Sequence, residues 1–407
     1  MDYSKILSSC VQQLKPSGIR KFFDLANAME GVISLGVGEP DFRTPYAIRR
    51  AGIQSLEKGY TWYTANAGLA ELREEIARYL HRRFDLNYES SQVLVTVGGS
   101  EAIDLCTRAL INPGDEVLIP EPCFVAYDPI ARLVGGVPVP LATRAEDQFK
   151  LTPEALRAAI TPKTKMLVFP FPNNPTGAIM NRQDLEGIAE VLRETDIIVL
   201  SDEIYAELTY EGRHVSIASL PGMKERTVVV NGFSKSYAMT GWRLGYAVGP
   251  KEIMAQMLKL HQFAIMCAPT TSQYAAIEAM RSCDDEIQRM AIQFGMRRGL
   301  LVNSLNKMGL TCFDPQGAFY VFPSIKITGM TSEDFCEGLL RSQKVAVIPG
   351  SAFGESGEGY VRLSYSYSGG DLGGGGDLGG GGGIYGADRI YGADMRSMGR
   401  IGSMGQT

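Results

Sequence analysis

The chain has 407 residues, of which 45% are hydrophobic and 21% are charged, and its formal net charge is −5. This composition is typical of a folded protein with a large core, and the acidic balance excludes a general attraction to nucleic acid or anionic membranes. The seven scattered cysteines lack a CxxC pair and the three histidines are dispersed, which argues against a disulfide framework and a metal centre. The polar N-terminus and the lack of a long apolar run predict a cytoplasmic protein without membrane spans.

The first strong element in chain order is AELREEIARYLHRRF, an amphipathic helix in which Leu72, Ile76 and Leu80 share one face. From about residue 92 to 250, short apolar runs that end in Gly, Pro, Asn or Asp alternate with helical stretches. Short, fully apolar strands separated by helices predict an α/β fold with a mostly parallel sheet covered by helices.

Polar residues gather where these apolar runs end, at Gly98, Gly99, Ser100, Asn173, Asn174, Asp202, Ser234 and Lys235. Ligands bind at the carboxyl ends of the strands in parallel sheets, so we predict a site there. Strand ends commonly turn polar, but that explanation accounts for glycine and proline better than for a carboxylate, an amide and a lysine at successive ends.

Lys235 stands out within NGFSKSYAMTGWRLGY, because no charged residue lies within seven positions on either side and Arg243 follows eight positions later. A lysine held away from water loses part of its preference for the charged form and becomes a better nucleophile. These properties suit a lysine that forms a Schiff base.

Towards the C-terminus, DDEIQRMAIQFGMRRGLLVNSLNKM predicts a long helix, and GAFYVFPSI and KVAVIPG predict strands of a smaller α+β unit. Residues 369–407 are glycine-rich and of low complexity. Each glycine within a helix costs about 1 kcal/mol relative to alanine. This segment therefore predicts a flexible tail, or a sequence artefact, and not a helix.

Seven short motifs in order resemble those of the class I and II aminotransferases, pyridoxal-phosphate enzymes of the aspartate-aminotransferase fold: GVGEPDFRTP, YTANAGLAELR, TVGGSEAI, FPNNPTGA, SDEIYAEL, FSKSYAMTGWRLGY and YVRLSYS. One such motif is a weak signal, but an ordered series is a strong one. The resemblance implies fold type I of these enzymes, with the small α+β domain built from both chain ends. The implied divisions are an N-terminal segment (1–45), a large cofactor-binding domain (46–280), a small domain (281–368) and the glycine-rich tail (369–407).

The resemblance also implies roles for individual residues. Lys235 would hold pyridoxal 5′-phosphate as a Schiff base and shuttle the substrate proton, with Asp202 on the ring nitrogen and Tyr205 as the other catalytic group. The residues implied in cofactor binding are Gly99, Ser100, Glu101, Phe124, Asn174, Asp202, Tyr205, Ser234, Lys235, Arg243 and, from the partner subunit of a homodimer, the residue at position Tyr63. Those implied in substrate binding are Gly38, Asn174, Arg362, Arg20 and Phe319.

The implied function is transfer of the amino group of an amino acid to a 2-oxo acid, such as 2-oxoglutarate or pyruvate, by a ping-pong mechanism. Two alternatives stay open at this point. The same cofactor supports elimination in C–S lyases and related enzymes, and an aminotransferase-like domain can serve regulation without catalysis. No motif matches a dedicated arginine for the side-chain carboxylate of aspartate, so the sequence does not name the amino donor.

Overall fold

The computed structural model describes residues 1–14, 16 and 18–367, and the side chains of these residues except those at positions 20, 21, 23 and 27. The predicted tail, residues 369–407, lies outside the described residues. No helix in the described part of the chain is both long enough and apolar enough to cross a membrane.

The α-helices follow the predicted periodicity, and the predicted amphipathic helix, residues 70–84, and the predicted long helix near residue 290 are both present. In chain order the helices are α1 (Ser9–Gln13), α2 (Gly18–Asn27), α3 (Tyr46–Glu57), α4 (Ala70–Phe84), α5 (Gly99–Leu110), α6 (Tyr127–Leu133), α7 (Pro153–Ala159), α8 (Arg182–Arg193), α9 (Lys251–Ala264), α10 (Thr270–Ser282), α11 (Asp284–Lys307) and α12 (Ser332–Gln343).

The β-strands coincide with the short apolar runs of the sequence. They are β1 (Ile33–Ser34), β2 (Val93–Thr96), β3 (Glu116–Glu121), β4 (Val137–Ala142), β5 (Thr164–Phe169), β6 (Ile198–Asp202), β7 (Thr227–Gly232), β8 (Gly245–Val248), β9 (Tyr320–Val321), β10 (Val345–Ala346), β11 (Ile348–Pro349) and β12 (Val361–Ser364).

The central sheet has seven strands in the order β2-β8-β7-β6-β5-β3-β4. Strand β8 runs antiparallel to the other six strands, which share one direction. Every residue of β2, β7 and β8 is buried, as expected for strands covered on both faces. The prediction of a mostly parallel sheet covered by helices is confirmed.

The direction of the strands brings the predicted polar residues together. Strands β2 and β7 are both antiparallel to β8, so they share the direction of β6 and β5. The turns that follow these four strands therefore lie at one edge of the sheet. Asp202, at the end of β6, lies at this edge together with Gly99, Asn174 and Lys235, which follow their strands closely.

Two small sheets lie outside the central one, and the first of them joins the N-terminal segment to the C-terminal part of the chain. Strand β1 pairs in parallel with β10, with Ile33 opposite Val345. Strands β11, β12 and β9 form an antiparallel sheet in that order. This second sheet holds Arg362 on its central strand. The bounds given above for the domains stay a prediction.

Packing of the apolar face of α4 generates a stability prediction. Ile76 is fully buried in a cluster with Leu72, Leu80 and residues of β2 and β8. We expect Ile76→Ala to lower the free energy of unfolding by about 2–5 kcal/mol, because the lost methyl groups leave a cavity.

Chemical denaturation checks this prediction against Ile292→Ala, the same substitution at a side chain of α11 that is 54% exposed. That control should change the free energy of unfolding by no more than about 0.5 kcal/mol. Equal losses from the two variants would contradict the packing that we describe.

Candidate active site

Lys235 lies in the turn that follows the buried strand β7, and its side chain is largely withdrawn from solvent. Its Nζ donates a hydrogen bond to the carbonyl oxygen of Gly38 at 2.6 Å. Nζ also lies 5.9 Å from the ring centre of Tyr205 and 5.8 Å from that of Phe319. Burial lowers the pKa of Lys235 from 10.5 to about 8. Near neutral pH this amine is therefore readily converted to its uncharged, nucleophilic form.

A cavity of about 550 Å³ opens beside Lys235 at the carboxyl edge of the central sheet. Most of the residues predicted from the sequence line it: Gly38, Gly99, Ser100, Phe124, Asn174, Asp202, Tyr205, Ser234, Lys235, Arg243 and Arg362. The rest of the lining is mainly apolar or aromatic: Ile19, Ile103, Tyr127, Pro170, Pro172, Ile204 and Tyr320, with Glu39, Thr240 and Gly241. This mixture of apolar walls and a few charged groups is typical of a ligand site.

Asp202 ends strand β6 and is almost completely buried. The hydroxyl of Tyr127 donates to its Oδ2 at 2.7 Å, and the backbone N–H of Ile204 donates to its Oδ1 at 3.2 Å. Burial raises the pKa of Asp202, while these hydrogen bonds and the charge of Lys235 oppose the rise. A buried carboxylate is most stable beside a cation, so the Asp202 end of the cavity suits a ligand group that carries positive charge.

Arg362, on strand β12, is a buried cation with only 3% of its surface exposed. Its Nη1 donates to Oδ1 of Asn174 at 2.9 Å and its Nη2 to the carbonyl oxygen of Gly36 at 2.6 Å. The guanidinium carbon lies 4.5 Å from the ring centre of Tyr320 and 4.8 Å from that of Phe353.

The charge of Arg362 is not balanced within the described part of the chain. No carboxylate there lies within ion-pair distance, and its buried Nε has no hydrogen-bond partner. Burial also lowers the pKa of Arg362. Because a buried charge without a partner is costly, this point of the cavity suits the carboxylate of a ligand, which a guanidinium binds through two parallel hydrogen bonds.

The turn between β2 and α5 forms a second place for an anion. Gly98 adopts a φ of +80°, and a β-carbon at this position would lie 2.8 Å from Nη2 of Arg243. The turn thus needs glycine, both for its backbone conformation and for the close approach of the guanidinium. Gly99 and Ser100 begin helix α5, where backbone N–H groups have no partner within the helix. With Ser234 nearby in the same lining, these donors suit a phosphate.

Tyr205 and Asn174 supply hydrogen-bond donors between the charged groups. The hydroxyls of Tyr205 and Tyr320 lie 2.8 Å apart, and burial raises the pKa of Tyr205 well above its ordinary value, so this phenol keeps its proton. A guanidinium can only donate hydrogen bonds. The oxygen of Asn174 therefore faces Arg362, and its NH₂ group is left to donate to another partner.

Of the other predicted residues, Phe319, Glu101 and Tyr63 are not part of the lining. Phe319 is fully buried and packs edge-on against Tyr205. The side chain of Glu101 forms hydrogen bonds with the backbone N–H of Val97 and with Nδ1 of His261. Tyr63 is 76% exposed. A residue that contacts a second subunit can be this exposed when one chain is considered by itself. The side chain of Arg20 lies outside the described residues.

Among the lining residues that were not predicted from the sequence, two tyrosines form hydrogen bonds with predicted residues: Tyr127 with Asp202 and Tyr320 with Tyr205. Tyr127 is the first residue of α6 and follows Phe124 by three positions, and their rings are 5.7 Å apart. Tyr320 is the immediate neighbour of Phe319, and adjacent residues of an extended segment face opposite sides. The sequence shows aromatic residues in both motifs, but it does not show that Tyr127 faces the cavity beside Phe124, or that Tyr320 faces it in place of Phe319.

Comparisons with known proteins agree on one family. The family described as aminotransferase class I and II matches residues 30–371. YugH of Bacillus subtilis (strain 168), whose name places it among the aminotransferases, is 58% identical over 89% of this chain and 94% of its own. The aromatic-amino-acid aminotransferase 2 of Thermococcus litoralis is 44% identical over 88% of this chain and 94% of its own.

Solved structures match over nearly the whole chain. The aspartate aminotransferase of Thermus thermophilus with maleate is 36% identical, with a TM-score of 0.88 over 97% of this chain and 99% of that one. A Pyrococcus protein called protein-A1 is 42% identical, with a TM-score of 0.90 over 96% of this chain and 97% of that one.

The lowered pKa of Lys235 generates a prediction about its reactivity. In protein stripped of small ligands, the rate at which an amine-reactive reagent modifies Lys235 should rise with pH and level off above about 8, because only the uncharged amine reacts. Mass spectrometry of the peptide that contains Lys235 measures this rate. A Lys235→Arg variant should lose the label at this peptide, and a rate that still rises steeply at pH 10 would contradict the lowered pKa.

Proposed function

The chain belongs to the family of class I and II aminotransferases, and we propose that its catalysis depends on Lys235, Asp202 and Tyr205. Like its relatives, it transfers the amino group of an amino acid to a 2-oxo acid and uses pyridoxal 5′-phosphate. One observation supports the assignment most: a lysine whose pKa is lowered to about 8 shares a cavity with a buried carboxylate and a buried guanidinium. Elimination and a purely regulatory role, which the sequence left open, find no counterpart among these named relatives.

The charged groups of the cavity fit this cofactor. The N–H groups of Gly99 and Ser100, with the guanidinium of Arg243, would hold its phosphate. Asp202 would hold its protonated ring nitrogen, which is the cation that the buried carboxylate requires. When bound, pyridoxal 5′-phosphate supplies an electron sink that stabilises negative charge on the α-carbon of the substrate.

The proposed role of Lys235 follows from its position and its pKa. Its Nζ would hold the aldehyde carbon of the cofactor until the substrate amine replaces it. The released amine would then take the proton from the α-carbon of the substrate and deliver it to the carbon of the cofactor that had been the aldehyde carbon. A group with a pKa of about 8 suits both tasks near neutral pH, because a general base works best when its pKa lies near the working pH.

The neighbouring side chains would orient the reacting groups. Tyr205 keeps its phenolic proton and, with the NH₂ group of Asn174, would donate hydrogen bonds to the phenolic oxygen that is attached to the cofactor ring. Phe124 would contact the face of the ring. Tyr127 would hold Asp202 in place through its hydrogen bond.

Arg362 would bind the α-carboxylate of both the amino acid and the 2-oxo acid. Its guanidinium already contacts Asn174 and the backbone of Gly36, which limits its orientations. An incoming carboxylate would balance a charge that is buried without an acidic partner among the described residues. Binding at this point would also bring the α-carbon of the substrate towards Lys235, whose Nζ contacts Gly38 in the same lining.

We further propose that two chains form a homodimer in which Tyr63 reaches the cavity of the partner. Tyr63 and four other large apolar side chains of two neighbouring segments are exposed, namely Trp62, Phe263, Ile265 and Met266. Asn66 donates a hydrogen bond to the carbonyl oxygen of Met266, which ties the two segments together. An exposed apolar surface of this kind suits contact with another protein. The proposal places the dimer in the cytoplasm, in agreement with seven cysteines that form no disulfide.

The role of Arg362 can be tested by a substitution that preserves its charge. We expect Arg362→Lys to lower kcat/KM for the amino donor by roughly 100-fold, because a lysine cannot make two parallel hydrogen bonds to one carboxylate. Bound cofactor, followed by its absorbance, should stay unchanged.

Arg297→Lys provides a matched control, since Arg297 is also buried but pairs with Asp41 inside the protein. That variant should lower the Tm and leave kcat/KM close to that of the wild type. An Arg362→Lys enzyme with unchanged kcat/KM would refute the proposed carboxylate site.

The shared site can be tested by mixing two inactive variants. Tyr63→Ala and Lys235→Ala subunits should regain activity after subunit exchange, because one site of the mixed dimer then has both wild-type residues. Each variant incubated alone gives the baseline. Elution at monomer mass, or no recovery after exchange has been demonstrated, would show that Tyr63 does not act across a dimer.

A further inference from the structure

A completely buried histidine lies behind the turn that begins helix α5. His261 is on helix α9 and has none of its surface exposed. Its Nδ1 lies 2.8 Å from Oε1 of Glu101. Its Nε2 is buried and has no hydrogen-bond partner among the residues that the structure describes. The polar contact of the ring is therefore with Glu101, and since a carboxylate oxygen accepts, Nδ1 is the donor.

Glu101 connects this histidine to the β2–α5 turn. It is the third residue of helix α5, and its second oxygen, Oε2, accepts a hydrogen bond from the backbone N–H of Val97. Val97 directly precedes Gly98, the residue at which the turn approaches Arg243. One carboxylate thus links His261 to the segment that carries the anion-binding N–H groups.

The position of the Glu101 side chain matters for those N–H groups. A carboxylate in the first turn of a helix is attracted to the free N–H groups there, as any anion is. Here the contacts with His261 and Val97 hold it away from the cavity, and Glu101 is not part of the lining. The N–H groups of Gly99 and Ser100 therefore stay available to a ligand.

We propose that His261 is a positioning residue for cofactor binding. By fixing Glu101, it holds the turn in the shape that receives the phosphate and prevents this carboxylate from competing with it. The inference rests on the proposed function, since it takes the β2–α5 turn and Arg243 as the phosphate site.

The position of the donor atom gives a sharp test. The amide nitrogen of asparagine is attached to Cγ, as Nδ1 of histidine is, so His261→Asn can still donate to Glu101. The amide nitrogen of glutamine corresponds instead to Nε2, so His261→Gln should lose this bond. His261→Asn should thus keep the binding of the cofactor phosphate, which His261→Gln should weaken, although glutamine is closer to histidine in size.

The measurement compares two ligands on the full chain freed of cofactor. Pyridoxal 5′-phosphate and pyridoxal differ only in the phosphate, so the ratio of their Kd values reports on the phosphate site alone. For His261→Gln we expect the preference for the phosphorylated form to fall about tenfold, as for the loss of a hydrogen bond to a charged group. For His261→Asn the preference should stay within about twofold of the wild type.

His214→Asn is a matched control, because the side chain of His214 is also largely buried and its Nε2, which asparagine does not replace, lies 2.9 Å from Oε2 of Glu203, away from the β2–α5 turn. It should leave the ratio of Kd values unchanged even if it lowers the Tm. A purely structural role for His261 would weaken both ligands equally in His261→Gln, and that result would overturn the inference.

Arg243→Ala separates this inference from the proposed function. If Arg243→Ala abolishes the preference for the phosphorylated ligand while His261→Gln does not alter it, the phosphate site stands and the role of His261 is refuted. If neither variant alters the preference, the phosphate lies elsewhere, and both proposals are refuted.

Discussion

The site depends on charges that the protein buries and does not neutralise by itself. Arg362 meets no carboxylate within ion-pair distance among the described residues, and Asp202 is held by hydrogen bonds from a phenol and a backbone amide. Burial lowers the pKa of Lys235 to about 8 and raises that of Asp202. In the proposed site, Arg362 and Asp202 would each be stabilised by a ligand group of complementary charge, which a buried ion requires. An amino acid and a phosphorylated, pyridine-containing cofactor supply those charges.

Two different sheets of the fold position these groups. The parallel strands of the central sheet bring Asp202, Lys235 and the start of α5 to one edge. Arg362 comes from a different sheet, and it is held by the side chain of Asn174 and by the backbone just after β1. The proposed carboxylate site thus lies where the N-terminal segment, the central sheet and the C-terminal part of the chain meet. A ligand bound there contacts all three.

The sequence predicted the groups at the strand ends well, because the alternation of apolar runs and helices is a local signal and the parallel sheet converts it into a common edge. Arg362 was predicted only through the resemblance of its motif, since no local pattern connects β12 to that edge. Tyr127 was missed because a single sequence does not show which aromatic side chain turns towards a cavity. The contact of His261 with Glu101 spans 160 positions, and no spacing rule predicts such a pair.

The most direct measurement of the central claim is chemical fixation of the cofactor. Borohydride treatment of the holoenzyme should attach pyridoxal 5′-phosphate irreversibly to the lysine that holds it, and mass spectrometry of the peptides then identifies that lysine. The added mass should appear on the peptide that contains Lys235. An added mass on any other lysine, with Lys235 unmodified, would contradict it.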